Sequence, residues 1–381
     1  MEKKKKEIWI FAGEDSGDLY GSNIATELKR VAGESVHIAG MGGERMKKAG
    51  VDIIVDSSDL GVMGFIEVLK MIKTFKKVFH YLLDEAKTRK PDLIVMIDYP
   101  GFNLRFAKKA HQLGIPIAWY ISPQVWAWKK GRIPTLAKVV KKMMCIFPFE
   151  VDVYKGSGLD AEFVGHPLVS EIRKQLNPEI VRDDDLILLL PGSRKNEIEK
   201  MLPVMIESAN KLFAENSSLK FVISAPRENI LQLIKDELAK LEVAEGLALE
   251  LNVGRTREYM QRATAGIATS GTVTVECAIS SLPITVVYKI NPITCFLAKL
   301  FVKLEYFTMV NILGKKEIYQ EFLQGEANQE NVVTALKRIL PGGDRRESVL
   351  LDINDVVEGL SGGTDSSNKR AAEICLELVE L

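Results

Sequence analysis

Residues 186–198 read LILLLPGSRKNEI. An unbroken apolar run of this kind belongs to a strand buried on both faces, because a strand with one wet face alternates. Pro191 and Gly192 stop it, and Ser193 and Arg194 then open a helical pattern, so the stretch predicts the strand, turn and helix of a parallel α/β sheet. The turn is basic. An arginine fork beside the exposed N–H groups of a helix start suits a phosphate, although a plain surface turn would carry the same letters.

The same unit recurs on both sides. EIWIFA, VHIAGM, VDIIVD, DLIVMID, IPIAWYI, MMCIFPF and AEFVG come before residue 166, and KFVISAP, ALELNVG, AGIATSG and ITVVYKI follow the quoted run. Separated by helical patterns, these predict two consecutive doubly wound α/β domains. A chain of 381 residues exceeds what one core fills. The polar segment SEIRKQLNPEIVRDDD, 170–185, marks the boundary, giving expected domains 1–168 and 169–355; the Gly-rich GLSGGTDSSNKR, 359–370, falls in a final segment, 356–381, that ends in a helix. Ligands of such sheets bind outside the carboxyl ends of the strands.

Bulk composition narrows the classes. Lysine and arginine number 51 against 51 acidic residues, so no global charge points to nucleic acid. Cys145, Cys277, Cys295 and Cys375 are far apart with no CxxC pair, which argues against a disulfide framework or a zinc knot and fits a reducing cytoplasm. The apolar stretch after MEKKKK is too short for a signal peptide, and no run has the length of a membrane span. The expectation is a soluble or surface-bound protein.

Three strand ends carry candidate chemistry. Asp98 closes LIVMIDYPGFN, where a strand delivers a carboxylate to the sheet edge; burial there raises its pKa toward that of a working base, while the alternative is a helix cap. ATSGTVTVE, 268–276, offers Ser270, Gly271 and Thr272 for a diphosphate and Glu276 for the two hydroxyls of a ribose; Thr272 to Glu276 is also close to a capping-box spacing. FAGEDSGDLYG, 11–21, is a glycine-rich turn that carries Glu14, Asp15 and Asp18, and so is a poor place for an anion.

Other features have plainer readings. The DxD within Asp183–Asp185 precedes a strand instead of following one, which marks a solvated charge run, and no metal site is expected. Of the histidines, His166 in FVGHP stands where the chain leaves the first domain. GVMGFIEVLKMIKTFKKVFHYLL, 61–83, sets Val62, Met63, Phe65, Ile66 and Leu69 beside Lys70, Lys73, Lys76 and Lys77, the composition of a helix lying on an anionic membrane or of a core-facing helix with lysines outside. ITCFLAKLFVKLEYF, 293–307, is a second such stretch.

Taken together, AGEDSGDLYG, GMGGERM, LGVMGFIEVL, MIDYPGFN, ISPQVWAWKKGR, FVGHPL, LLPGSRKNEI, SGTVTVE, NPITCFLAKLFVK and VNILGKKEIYQEFLQ resemble the lipid-A-disaccharide synthase family, in that family's order from about residue 8 to 324. The resemblance implies a GT-B architecture, two Rossmann-like domains facing across a cleft with the C-terminal helix crossing back to the first. It implies transfer of 2,3-diacylglucosamine from UDP-2,3-diacylglucosamine to the 6-hydroxyl of 2,3-diacylglucosamine 1-phosphate, with inversion. By position, Asp98 matches the family's essential aspartate, and Arg194, Glu276 and Asn311 fall in motifs lining the UDP site. Two departures stand out: Gly101 replaces a usual acid after the proline, and Asp15 replaces a usual alanine.

On this reading Asp98 takes the acceptor proton, while Arg194 with the Ser270–Gly271–Thr272 turn takes the diphosphate charge, so neither metal nor cofactor is expected. Gly13 and Gly17 would bring backbone close to the acceptor, with Glu14, Ser16 and Asp18 around it. The lysine-bearing stretches would dock on an anionic membrane, placing the protein on the inner face of the cytoplasmic membrane of a Gram-negative-type bacterium, and a homodimer stays open. Competing readings are another UDP-sugar GT-B enzyme, such as a UDP-N-acetylglucosamine 2-epimerase, and a non-catalytic UDP-lipid-binding protein. ISPQVWAW and MIDYPGFN do not fit the first, and retention of Asp98 and Arg194 speaks against the second.

Overall fold

The computed structural model describes residues 5–57, 67–127, 129–290, 305–363 and 366–381, with backbone alone over 67–73. The chain divides into two compact units, Met1–Ser170 with Leu360–Leu381, and Glu171–Gly359.

In the first unit, β1 (Lys6–Ala12), β2 (Val36–Gly42), β3 (Asp52–Asp56), β4 (Leu93–Ile97), β5 (Ile117–Tyr120), β6 (Lys142–Cys145) and β7 (Ala161–Phe163) form a parallel sheet in the order β3-β2-β1-β4-β5-β6-β7. In the second, β8 (Asp183–Leu190), β9 (Lys220–Ala225), β10 (Ala248–Val253), β11 (Ala263–Thr269), β12 (Ile284–Tyr288) and β13 (Gln320–Leu323) repeat the plan as β10-β9-β8-β11-β12-β13. Central strands are the apolar runs. All of β4 and β11 and the Leu186–Leu190 end of β8 are buried, whereas the edge strands β3, β7, β10 and β13 are only partly covered.

Each sheet reverses its winding beside its first strand. Ala12 of β1 pairs with Ile97 of β4, and Leu190 of β8 pairs with Ala268 of β11. The turns after β1 and β4 therefore leave side by side, as do those after β8 and β11, at the switch points where α/β sheets hold ligands.

Two packing features steady the first unit's edge. Behind β1 and β4, Phe11 meets Phe106 edge-on with ring centres 4.9 Å apart, and Phe79 meets Phe106 at 5.5 Å. The terminal helix Ser367–Leu378 packs on the helix Asp15–Ala32; Ala371, Ala372, Ile374 and Cys375 are buried, the Tyr120 hydroxyl donates to Asn368 Oδ1 at 3.2 Å, and Arg370 pairs with Glu162 at 2.7 Å.

Candidate active site

In the first unit, β4 ends at Ile97, and Asp98 and Tyr99 follow with φ of 40° and 47°. Two consecutive non-glycine residues in the left-handed region cost about 1–2 kcal/mol each, a strain that persists only where surroundings impose it. Those surroundings are visible. Asp98 N–H donates to Tyr120 O at 3.0 Å, and the buried Asn103 amide donates to Ile97 O at 3.2 Å and Asp98 O at 2.8 Å, taking carbonyls that the turn removes from the ladder. Pro100 then starts the helix Pro100–Gln112 in the position where its missing N–H does no harm.

Asp98 is an exposed residue, with protein crowded around its carboxyl group. That crowding, reinforced by the charge of Glu14, pushes its pKa up to about 6, against the pull of the Tyr99 backbone N–H. A carboxylate so poised is ionised at neutral pH yet basic enough to accept a proton.

The acidic turn after β1 divides its work differently from the expectation drawn from sequence. The space over Gly13 is filled by the protein itself, since a β-carbon there would stand 2.4 Å from Tyr99 Cδ1. Gly17 is buried in the helix Asp15–Ala32, and a β-carbon there would meet Ala12 at 3.4 Å, an ordinary contact. Asp18 is buried, and its carboxylate accepts from the N–H groups of Gly43 (2.7 Å), Arg45 (3.0 Å) and Met46 (3.1 Å), capping the helix Glu44–Lys48. It orders the β2 turn and is unavailable to a sugar. Asp15 pairs with Arg45 at 3.3 Å, and Glu14 and Ser16 remain exposed.

In the second unit, Ser193 and Arg194 precede the helix Lys195–Glu215 and are exposed. Glu197 reaches back to accept from Ser193 N–H at 3.1 Å and from Arg194 Nη1 at 2.6 Å. Beside this turn, Gly271 caps the helix Thr272–Ile279 with φ 158°, Thr272 is exposed, and Ser270 Oγ donates to Phe307 O at 3.4 Å. The capping box weighed for Thr272 and Glu276 does not form. Glu276 instead accepts from Arg257 Nε at 3.3 Å, and burial raises its pKa despite that guanidinium.

Asn311 is fully buried and saturated. Its amide donates to Tyr319 O and Glu321 Oε1, both at 2.7 Å, and its oxygen accepts from Ile318 and Tyr319 N–H, both at 2.9 Å. Both ends of its amide are thereby taken by protein partners. Glu321 in turn holds Phe307 and Thr308 N–H at 2.9 Å, and Phe307 receives Ser270, so Asn311 acts on the Ser270 turn through these neighbours.

The remaining expectations fall as follows. Asp183 opens β8 and pairs with Lys220 at 3.1 Å, while Asp185 accepts from Ser218 Oγ at 2.9 Å, both at the strand end opposite the polar turns. Among the described residues, no group of three His, Cys, Asp or Glu side chains is placed to hold a metal. His166 is buried against the Phe147 ring at 5.2 Å, and burial lowers its pKa to about 4. Val62, Met63, Phe65 and Ile66 lie outside the described residues, as does most of 293–307. Leu69, Lys70 and Lys73 lie on the helix Glu67–Arg89; further along it Lys76 and Lys77 are exposed while Phe75, Val78 and Phe79 pack on the core. No described helix is long and apolar enough to cross a membrane.

Two consecutive doubly wound sheets, each with polar turns at its switch point, define the GT-B architecture. The chain shares its fold with the S. aureus MnaA–UDP co-structure (TM-score 0.66, 12% identity, 99% of this chain and 97% of that one) and with the glycotransferase of kitacinnamycin (TM-score 0.64, 13% identity, 99% of both chains). The chain belongs to the lipid-A-disaccharide synthetase family, whose model matches residues 8–375. Lipid-A-disaccharide synthases of Koribacter versatilis and Syntrophus aciditrophicus are 36% and 35% identical to it, each over 98% of both sequences. It is a hexosyltransferase of lipid A biosynthesis.

Proposed function

We propose that the protein moves 2,3-diacylglucosamine from UDP-2,3-diacylglucosamine to the 6-hydroxyl of 2,3-diacylglucosamine 1-phosphate, giving a β-1′,6-linked disaccharide 1-phosphate and UDP. The observation that carries this reading is Asp98, a carboxylate with a pKa of about 6 held in a strained turn at a sheet switch point. As the acceptor oxygen bonds to the donor's anomeric carbon, its proton passes to the Asp98 carboxylate, and the bond from that carbon to the diphosphate oxygen breaks. Attack from the face opposite the leaving group inverts the centre. Arg194 and the N–H groups opening the helix Thr272–Ile279 stabilise the departing diphosphate, and Glu276 receives the ribose hydroxyls. Glu14 and Ser16, exposed beside the Asp98 turn, are the acceptor-side contacts. Gly13 serves that side through Tyr99.

The test is an incubation of the protein with both lipids in detergent micelles and EDTA, following UDP and disaccharide. One UDP per β-linked disaccharide is the expected outcome; UDP-lipid binding without disaccharide, even after Mg²⁺ is restored, would overturn the reading.

Acyl chains on both substrates favour work at a membrane. Exposed Lys76 and Lys77 on the helix Glu67–Arg89 support docking on an anionic inner leaflet, with Lys70 and Lys73 on the same helix. Changing all four to glutamate should release the protein from anionic vesicles, and unchanged co-sedimentation would refute the docking.

A further inference from the structure

The second unit surrounds Glu276 with a cluster whose other members the reading above leaves unused. Arg257, on the helix Thr256–Arg262 after β10, sends its guanidinium to three acceptors: Glu276 Oε2 at 3.3 Å, Glu171 Oε1 at 2.9 Å and Gln175 Oε1 at 2.7 Å. One cation thus faces two carboxylates and an amide oxygen, all largely shielded from water except Gln175. Two carboxylate oxygens are left over. Glu171 Oε2 is buried without a hydrogen-bond partner, and among the described residues Glu276 Oε1 has no protein donor.

A buried acceptor left unmatched is costly, and a site with spare carboxylate oxygens is completed by a ligand that brings hydroxyl donors and no negative charge at that point. A ribose cis-diol is such a group. A carboxylate on a helix can rotate about its side chain; one oxygen held by a guanidinium restricts that rotation and leaves the second to another donor.

We propose that Arg257 is the positioning residue of the ribose site: it holds Glu276 Oε2 and so presents Oε1 to the diol of a nucleoside diphosphate. This rests on the reading of Glu276 as the ribose ligand. The far end of the guanidinium is fixed by Glu171 and Gln175, so the aim of Glu276 is set by the helix Pro167–Gln175, about a hundred residues earlier in the chain.

Calorimetric binding of UDP and of 2′-deoxy-UDP to the full chain, to Arg257→Met, to Arg257→Lys and to Glu276→Gln, with melting temperatures for each, tests this. The wild type should prefer UDP by about tenfold, one hydrogen bond to a charged group. Arg257→Met should bind UDP about tenfold more weakly with little change for 2′-deoxy-UDP, so that the preference collapses, and Arg257→Lys should restore part of it. In turnover, Arg257→Met should raise the donor KM and leave the acceptor KM in place. If Arg257→Met weakens both nucleotides equally and keeps the preference, Arg257 only supports the fold and the proposal is wrong. If Glu276→Gln keeps the full preference, the ribose reading fails first and takes this inference with it. Should Arg257→Met lose its cooperative melt, Arg257→Lys decides, and an undiminished preference there overturns the proposal.

Discussion

Gly13 and Tyr99 fit together only because Gly13 lacks a side chain: a β-carbon there would lie 2.4 Å from Cδ1 and 2.7 Å from Cγ of the Tyr99 ring. Those ring atoms sit close to the backbone, so a methyl group cannot be accommodated by a swing of the ring tip. Tyr99 must shift, and Asp98 with it.

Gly13→Ala is therefore expected to lower kcat by about a hundredfold while the protein still folds, the scale of loss that a displacement of roughly 1 Å produces at a reacting centre. Gly17→Ala, whose new methyl meets Ala12 at an ordinary 3.4 Å, should stay within about twofold of wild type. Steady-state kinetics beside melting curves would check both.

Glu14 raises the pKa of Asp98 by its charge, second only to burial. Removing that charge favours the ionised form of Asp98, so Glu14→Gln should move the acid limb of kcat/KM below pH 6, and raised salt should move the wild type the same way. An unmoved limb would mean that Glu14 does not act on Asp98 through its charge.

Gly101 lies in the first turn of the helix Pro100–Gln112, and a β-carbon there meets nothing within 4 Å. Gly101→Asp should fold normally and gain stability from the helix N-terminus, by about 0.5–1 kcal/mol. Its charge beside Asp98 should shift the acid limb upward, the opposite direction to Glu14→Gln.

Arg194 and Asn311 should separate chemistry from support. Arg194 is mostly exposed, so Arg194→Ala should leave the melting temperature nearly unchanged and reduce kcat by about 10²–10³ as the leaving diphosphate loses its donor. Asn311→Ala strands four hydrogen-bonding partners, three of them buried, and should cost about 2–4 kcal/mol of stability, read as a lowered melting temperature.

The two parallel sheets were legible because strands buried on both faces leave unbroken apolar runs, as in LIVMID and LILLL, and the carboxylate at the end of β4 was legible because the run stops on it. The left-handed Asp98–Tyr99 pair was not, since its sign depends on Asn103 taking two carbonyls and on the space over Gly13. Asp18 reads as a ligand-facing acid in a glycine-rich turn, yet its partners are backbone N–H groups beyond residue 42, on the β2 turn. Arg257 carried no signal at all: it is one of two arginines in NVGRTREY, and its partner Glu171 lies 86 positions away. Asn103 stood inside a quoted motif without any property that marks it as the clasp of the turn.

The most direct test of Asp98 as the base is the pH dependence of kcat/KM for the acceptor, measured on the wild type and on Asp98→Asn. The wild type should lose activity as pH falls through about 6, where its carboxylate becomes protonated. Asp98→Asn should be slower by about 10²–10⁴ and show no limb near that pH. An Asp98→Asn enzyme that keeps the limb and loses only acceptor affinity would contradict the account, leaving Asp98 to position the acceptor and another group to take the proton.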